Sequence, residues 1–208
     1  MDGGERTAQT ITDSRVLAAM SHPVRRRLLD ALAVDGPSTV GMLASRTGQA
    51  VGNVSHHLKV LMQASLIEEA PALARDRRER WWKASAASRR WSSTAFGEDP
   101  AAEVVVEAAE SLNFEHQIAK VRAWQAQRDS AGPEWNDAAF STDSWLRLTP
   151  AELRQLSEEL NELLRRWRDR DAADRADPDA AGGADSDTVD GTDRKTVFVF
   201  ARGVPAEP

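Results

Sequence analysis

The chain has 208 residues and no cysteine, which excludes disulfides and thiolate metal sites, and no run of about 18 apolar residues is present to span a membrane. Its net charge of −6 divides unevenly: residues 1–90 have 14 Lys and Arg against 9 Asp and Glu, a net of +5, whereas residues 91–208 have 13 against 24, a net of −11. Because only the surface that faces DNA must be positive, this division is compatible with a nucleic-acid-binding half.

A polar N-terminus precedes the first predicted helices. Residues 1–10 are polar, which predicts a disordered segment. They lack the apolar core of a signal peptide, which predicts a cytoplasmic, nucleoid-associated protein. A short helix is expected from a cap at Thr12 or Asp13. A second, amphipathic helix is expected after a cap at Ser21, and a third after a cap at Ser38.

Residues 43–61 have the pattern of two short helices joined by a tight turn at Gly48. In the second helix Val54, Leu58 and Leu61 recur at i, i+4 and i+7, which predicts one buried stripe. The opposite face has small or hydrogen-bonding side chains and no carboxylate; it comprises Gly52, Asn53, Ser55, His56 and Lys59. A helix that enters the major groove of DNA needs such a face, because base edges offer donors and acceptors at close range.

A hairpin with a basic tip is predicted after these helices. Leu66–Glu69 and Glu79–Lys83 have the composition of two strands, and the loop between them contains Arg75, Arg77 and Arg78. We expect these arginines to lie along the DNA backbone or to enter the minor groove. The fold class is therefore mainly α with a small β-hairpin, a winged helix-turn-helix domain followed by a helical region.

Residues 15–84 resemble the ArsR-type winged-helix transcriptional regulators of bacteria. The most specific motifs are L-x-x-M-S-H-P-x-R at 17–25 and V-S-H-H-L-K-V-L at 54–61. The resemblance implies a homodimer that binds double-stranded operator DNA and usually represses transcription. The chain departs from the family at Ala50, where a serine or similar cap is usual, and it lacks the cysteine metal site of the best-known members.

The predicted DNA-contacting residues of the recognition helix differ in role. They are Gly52, Asn53, Ser55, His56, His57 and Lys59. Asn53, Ser55 and His56 are candidates for base edges, and Lys59 for a phosphate. His57 lies beside the buried stripe, which favours a packing or phosphate-contacting role over base reading.

Two helices are predicted in the C-terminal half. One runs from Ala101 to about Arg128 and has an apolar surface too broad for a small winged helix to cover, so it requires a partner helix. Its predicted stripe comprises Val105, Ala108, Leu112, Ala119 and Val121. The other begins at Thr149, which caps it with Pro150 in its first turn. A segment with nine Asp follows between 169 and 193, and then a short strand signal.

These patterns divide the chain into a disordered N-terminus (1–10), a winged helix-turn-helix domain (11–90), a helical dimerisation and effector region (91–168), an acidic flexible linker (169–194) and a C-terminal strand (195–202). The tryptophans are expected to anchor the core and interfaces. Alternatively, five of them line a pocket for a small-molecule effector: Trp91, Trp124, Trp135, Trp145 and Trp167.

No cofactor, metal site or catalytic constellation is predicted, so an enzyme is not expected. The neighbours His56 and His57 point about 100° apart on a helix and cannot easily chelate one ion. The predicted function is a sequence-specific, homodimeric transcriptional regulator, most simply a repressor. Two alternatives remain, a winged-helix scaffold that binds a partner protein and an architectural protein that binds DNA without sequence preference.

Overall fold

Local capping and breaking signals divide this chain into helices, and these form two compact units, Met1–Gln125 and Ala126–Pro208. The computed structural model describes residues 9–76, 79–85, 89–90, 96, 100–176 and 194–207. The described helices are α1 (Ser14–Ser21), α2 (Pro23–Val34), α3 (Val40–Thr47), α4 (Val51–Gln63), α5 (Pro100–Gln127), α6 (Pro133–Ala138) and α7 (Pro150–Ala176). The described strands are β1 (Gln9–Thr10), β2 (Ser38–Thr39), β3 (Ile67–Glu69), β4 (Trp81–Ala84) and β5 (Arg89–Arg90).

Side chains cap the first three helices, although two of the caps differ from the predicted ones. Asp13 caps α1 through a carboxylate oxygen that accepts a backbone N–H of the first turn. The cap of α2 is His22 and not Ser21, because α1 extends to Ser21. The cap of α3 is Thr39 and not Ser38, because α3 begins at Val40 and the Met42 N–H donates to Thr39 Oγ1 at 3.3 Å.

A three-stranded antiparallel sheet of order β2–β4–β3 completes the winged helix. Its register pairs Ile67 with Ala84 and Thr39 with Trp81. Strands β3 and β4 confirm the predicted hairpin. Strand β2 was not predicted, because two residues are too few to show alternation. Trp82 is buried on the core side of β4, as alternation of neighbouring residues along a strand requires.

Residues 9 and 10 correct the predicted N-terminal disorder. They form β1, which pairs in parallel with β5. The adjacent Ile11 is only 2% exposed and belongs to the hydrophobic core, so it holds the preceding backbone against the domain. Residues 1–8 lie outside the described part of the chain.

The core of the N-terminal unit is apolar and draws on each helix of the winged helix. Its fully buried apolar side chains are Leu17, Leu28, Leu43, Val54, Leu58, Leu61, Leu66 and Ile67. Helix α5 adds Val106 and Ala109 to this core.

Helix α5 confirms the predicted long helix but buries a different face. Ala108 and Leu112 of the predicted stripe are exposed in the single chain, whereas Ala102, Val106 and Ala109 are buried. Apolar residues surround the first half of this helix, so periodicity could not assign the inner face.

In the C-terminal unit, α7 begins at the predicted capping box. The Thr149 N–H and hydroxyl both donate to Oε2 of Glu152 at 2.7 Å, and the Glu152 N–H donates back to Thr149 Oγ1 at 3.3 Å. The helix continues to Ala176, so the predicted linker was wrong for 169–176. Side-chain pairs extend the helix there: Arg165 lies 3.6 Å from Asp169, four residues on.

The predicted C-terminal strand was also wrong, since 194–207 form no strand and no described strand pairs with them. A lone strand has no partner for its backbone groups. Side chains hold the segment instead: Lys195 Nζ lies 5.3 Å from the ring centre of Trp135 and donates to the Ala131 carbonyl at 3.2 Å. Within the described residues, no helix is both long enough and apolar enough to cross a membrane.

Candidate nucleic-acid interface

The turn between α3 and α4 is built on one glycine. Gly48 has φ +65° and ψ +32°, a left-handed conformation that glycine adopts without strain, and its N–H donates to the Ala44 carbonyl. Helix α4 begins three residues later after Ala50, which supplies no side-chain cap. The two helices are therefore joined by a tight turn, and the predicted helix-turn-helix is confirmed.

Helix α4 presents two distinct faces. Val54, His57, Leu58 and Leu61 are buried against the other helices. The predicted contact residues Gly52, Asn53, Ser55, His56 and Lys59 are all exposed. The structure thus gathers five of the six predicted residues of this helix on a solvent-facing surface without carboxylates, and we call these five residues the recognition face.

Two hydrogen bonds orient polar groups of the recognition face. Asn53 Nδ2 donates to Gln49 Oε1 at 2.7 Å, and Ser55 Oγ donates to the Val51 carbonyl at 2.9 Å. The Asn53 amide then retains Oδ1 and one N–H for a ligand, the donor–acceptor pair that matches N6 and N7 of adenine. The Ser55 hydroxyl retains its acceptor lone pairs.

His57 packs inside the domain. It is 7% exposed, and its ring centre lies 4.9 Å from that of His22 at the start of α2. Burial, followed by the charges of His22, Arg25 and His56, lowers the pKa of His57, and burial followed by Arg25 lowers the pKa of His22. Both rings are therefore held neutral, and His57 positions α4 on α2 with little surface left for DNA.

The described part of the wing is ordered by its own side chains. The Arg75 N–H donates to Glu79 Oε2 at 2.9 Å, and the Glu79 N–H donates to Asp76 Oδ1 at 3.0 Å. The exposed Arg75 thus lies at the wing. Arg77 and Arg78, the other two predicted wing residues, lie outside the described residues.

Wing strands β3 and β4 carry charges that pair with each other. Arg80 Nη1 lies 3.6 Å from Glu69 Oε1, and Lys83 Nζ lies 3.0 Å from Glu68 Oε1. Arg80, which directly precedes β4, and Lys83 within it are thus each paired with a carboxylate of β3.

A half-buried carboxylate joins α2 to α5. Asp30 Oδ2 lies 3.0 Å from His116 Nε2 and 3.5 Å from Lys120 Nζ, and Asp30 Oδ1 lies 3.4 Å from Arg26 Nε. Arg26 also donates to Asn113 Oδ1 at 2.9 Å. Helix α5 is therefore attached to the helix that supports α4 by polar contacts as well as by the core. In the described part of the chain, no three His, Asp or Glu residues are grouped to hold a metal ion.

Two residues at the start of α4 were missed by the sequence reasoning. Gln49 was not weighed, although it precedes Asn53 by four residues and can reach it. Val51 is 56% exposed, although Val54, Leu58 and Leu61 on the same side of α4 are buried. Spacing alone places Val51 on that buried stripe, so only its position at the start of the helix could have suggested that it is exposed.

The chain was compared with known protein families, curated proteins and solved structures. Residues 20–70 match a family model described as a helix-turn-helix domain. A solved structure from Mycobacterium bovis, a homodimeric winged helix-turn-helix DNA-binding domain described as a possible ArsR-family transcriptional regulator, is 18% identical, with a TM-score of 0.33 over 55% of this chain and 83% of that one. No curated protein matches the sequence.

Proposed function

We propose that this protein, which carries a winged helix-turn-helix domain, is a homodimeric transcriptional regulator that binds operator DNA with sequence specificity and represses transcription. The observation that carries the proposal is the division of α4 into a buried apolar face and the exposed recognition face. A recognition helix contacts base edges from its N-terminal turns, where Gly52, Asn53 and Ser55 are exposed.

The exposed cations of the domain also favour DNA binding. Lys59 is exposed on the recognition face and Arg75 at the wing, so cations stand on both α4 and the loop that flanks it. Each cation that neutralises a phosphate releases a counterion, and this term supplies affinity without sequence preference. Base contacts from Asn53 and its neighbours supply the preference.

Helix α5 supports the dimer. Its outer surface carries exposed apolar side chains, among them Val104 (66% exposed), Leu112 (47%) and Phe114. Packing these residues against α5 of a second copy removes apolar surface from water. A two-fold axis through that contact relates two recognition helices, which would read a near-palindromic site with half-sites about 34 Å apart.

Repression and the ArsR likeness rest on the sequence motifs at 17–25 and 54–61. The proposed regulator acts in the cytoplasm at the nucleoid and uses no cysteine metal site. A small-molecule effector would reach the C-terminal unit, where Trp145 and Trp167 are exposed.

The experiment is selection of duplexes from a randomised pool by the full-length protein, followed by binding measurements with two variants. Asn53→Ala should relax preference at one base pair per half-site, with about 1–3 kcal/mol lost on the selected duplex. Gln63→Ala is the matched control, because Gln63 is an exposed amide at the other end of α4. Its preference should remain that of the wild type.

The alternatives give different results in the same experiment. An architectural protein would bind the pool tightly and enrich no sequence. A protein-binding scaffold would bind no duplex at low salt. Either result would contradict the proposed function.

A further inference from the structure

We infer that Val51 is a specificity-determining residue that contacts the 5-methyl group of a thymine in the operator. This inference rests on the proposed function. It concerns the first turn of α4, next to the residues of the recognition face.

The domain leaves Val51 largely uncovered. Val51 continues the spacing of the Val54–Leu58–Leu61 stripe, but it stands at the first position of α4, beyond the buried part of that stripe, and is 56% exposed. Valine is a weak helix former, and here it gains no burial. An apolar, β-branched side chain at this position is suited to an apolar partner supplied from outside.

Gly52 allows such a partner to come close. Its φ is not in the left-handed region, and a Cβ built on it would meet nothing within 4 Å. Neither backbone conformation nor internal packing therefore requires glycine, although glycine destabilises a helix relative to alanine. Because glycine has no side chain, α4 can come close to an external surface at position 52.

The neighbours of Gly52 fit the major-groove edges of A·T pairs. Successive helical residues are about 100° apart, so Val51 and Asn53 point about 160° apart on either side of Gly52 and reach different base pairs. Asn53, oriented by Gln49, presents an acceptor and a donor that match adenine. The only apolar group at the major-groove edge of base pairs is the thymine methyl, so that group is the partner for Val51.

The test replaces thymine by uracil, which removes the methyl group and leaves the hydrogen-bonding groups unchanged. The probe is the duplex recovered from a randomised pool by the full-length protein, with each thymine of one half-site replaced in turn. Wild-type protein should bind about fourfold more weakly when one particular thymine is replaced, as expected for one methyl group taken out of contact. Val51→Ala should bind the thymine and uracil duplexes equally.

Met62→Ala is the matched control, since Met62 is an exposed apolar residue at the other end of α4. It should discriminate thymine from uracil as the wild type does. Val51→Ala should fold, because alanine is the better helix former and the side chain is exposed.

The results separate this inference from the proposed function. If a preferred duplex is recovered but no thymine replacement weakens wild-type binding, or if Val51→Ala keeps the full discrimination, the role of Val51 is refuted and the regulator stands. If the pool yields no preferred duplex, the proposed function fails first.

Discussion

Asp30 joins the scaffold of the recognition helix to α5, and Asp30→Asn tests that connection. Its carboxylate lies 3.0–3.5 Å from cationic or ionisable groups of His116, Lys120 and Arg26. Asparagine preserves the volume but removes the charge. A hydrogen bond to a charged group contributes about 1.5–3 kcal/mol, so we expect the variant to lose about that much stability at pH 7.

The pH dependence of the stability is a second test of the Asp30 contacts. Burial alone would raise the pKa of Asp30, but the hydrogen bond from His116 and the charges of Arg26, His116 and Lys120 hold it below its ordinary value. A carboxyl with a lowered pKa stabilises the fold above its unfolded value of about 3.9, and the contribution is lost as the pH falls through the folded value. The difference between wild type and Asp30→Asn should therefore be full at pH 7 and shrink below about pH 4.

Urea denaturation followed by tryptophan fluorescence and circular dichroism measures both effects. Asp35→Asn is the control, because Asp35 pairs with the exposed Arg46 at 3.0 Å, and a surface pair contributes only about 0–1 kcal/mol. An Asp30→Asn protein as stable as the wild type at pH 7 would refute the reasoning. So would a penalty of unchanged size well below pH 4.

Four further changes test other parts of the structure. The His57→Phe variant should lose less stability on acidification than the wild type. The pKa of His57 is lowered in the folded state, so its contribution to stability is complete above about pH 6.5 and is lost as the pH falls through the folded pKa. Thermal unfolding between pH 5 and 8 measures the difference. Leu58→Ala should cost about 2–5 kcal/mol in urea denaturation, since Leu58 is 1% exposed. Lys59→Ala should weaken all duplexes alike and reduce the salt slope by about one phosphate contact, and a slope equal to wild type would count against that role. Leu112→Glu should shift sedimentation toward monomer and leave the thermal stability of the winged helix nearly unchanged.

The helix-turn-helix was predictable because its signals are local. Gly48 is a helix-ending glycine, and the spacing of Val54, Leu58 and Leu61 assigns one face of α4 to the core. Once that face is fixed, the recognition face follows from helix geometry alone. The same logic placed His57 beside the core.

The wrong predictions occurred where two neighbouring residues could fill the same role or where tertiary contacts decide which residues are buried. Ser21 and His22 are both acceptable caps, and only the end of α1 selects His22. The sequence of α5 is apolar on several sides, so the choice of Ala102, Val106 and Ala109 as the inner face depends on contact with the winged helix. The hydrogen bond between Gln49 and Asn53 could have been proposed from i, i+4 spacing.

The attachment of α5 to α2 links a helix outside the recognition face to the orientation of α4. Ala102, Val106 and Ala109 at the start of α5 are buried, and polar contacts further along, at Asn113 and His116, connect the helix to α2. Because α2 and α4 pack in one core, the contacts between α5 and α2 also fix the orientation of α4 relative to α5. In a dimer formed through α5, the separation of the two recognition helices would then be set by these contacts, and a fixed half-site spacing requires such a constraint. The polar cluster around Asp30 is thus expected to influence operator geometry without touching DNA.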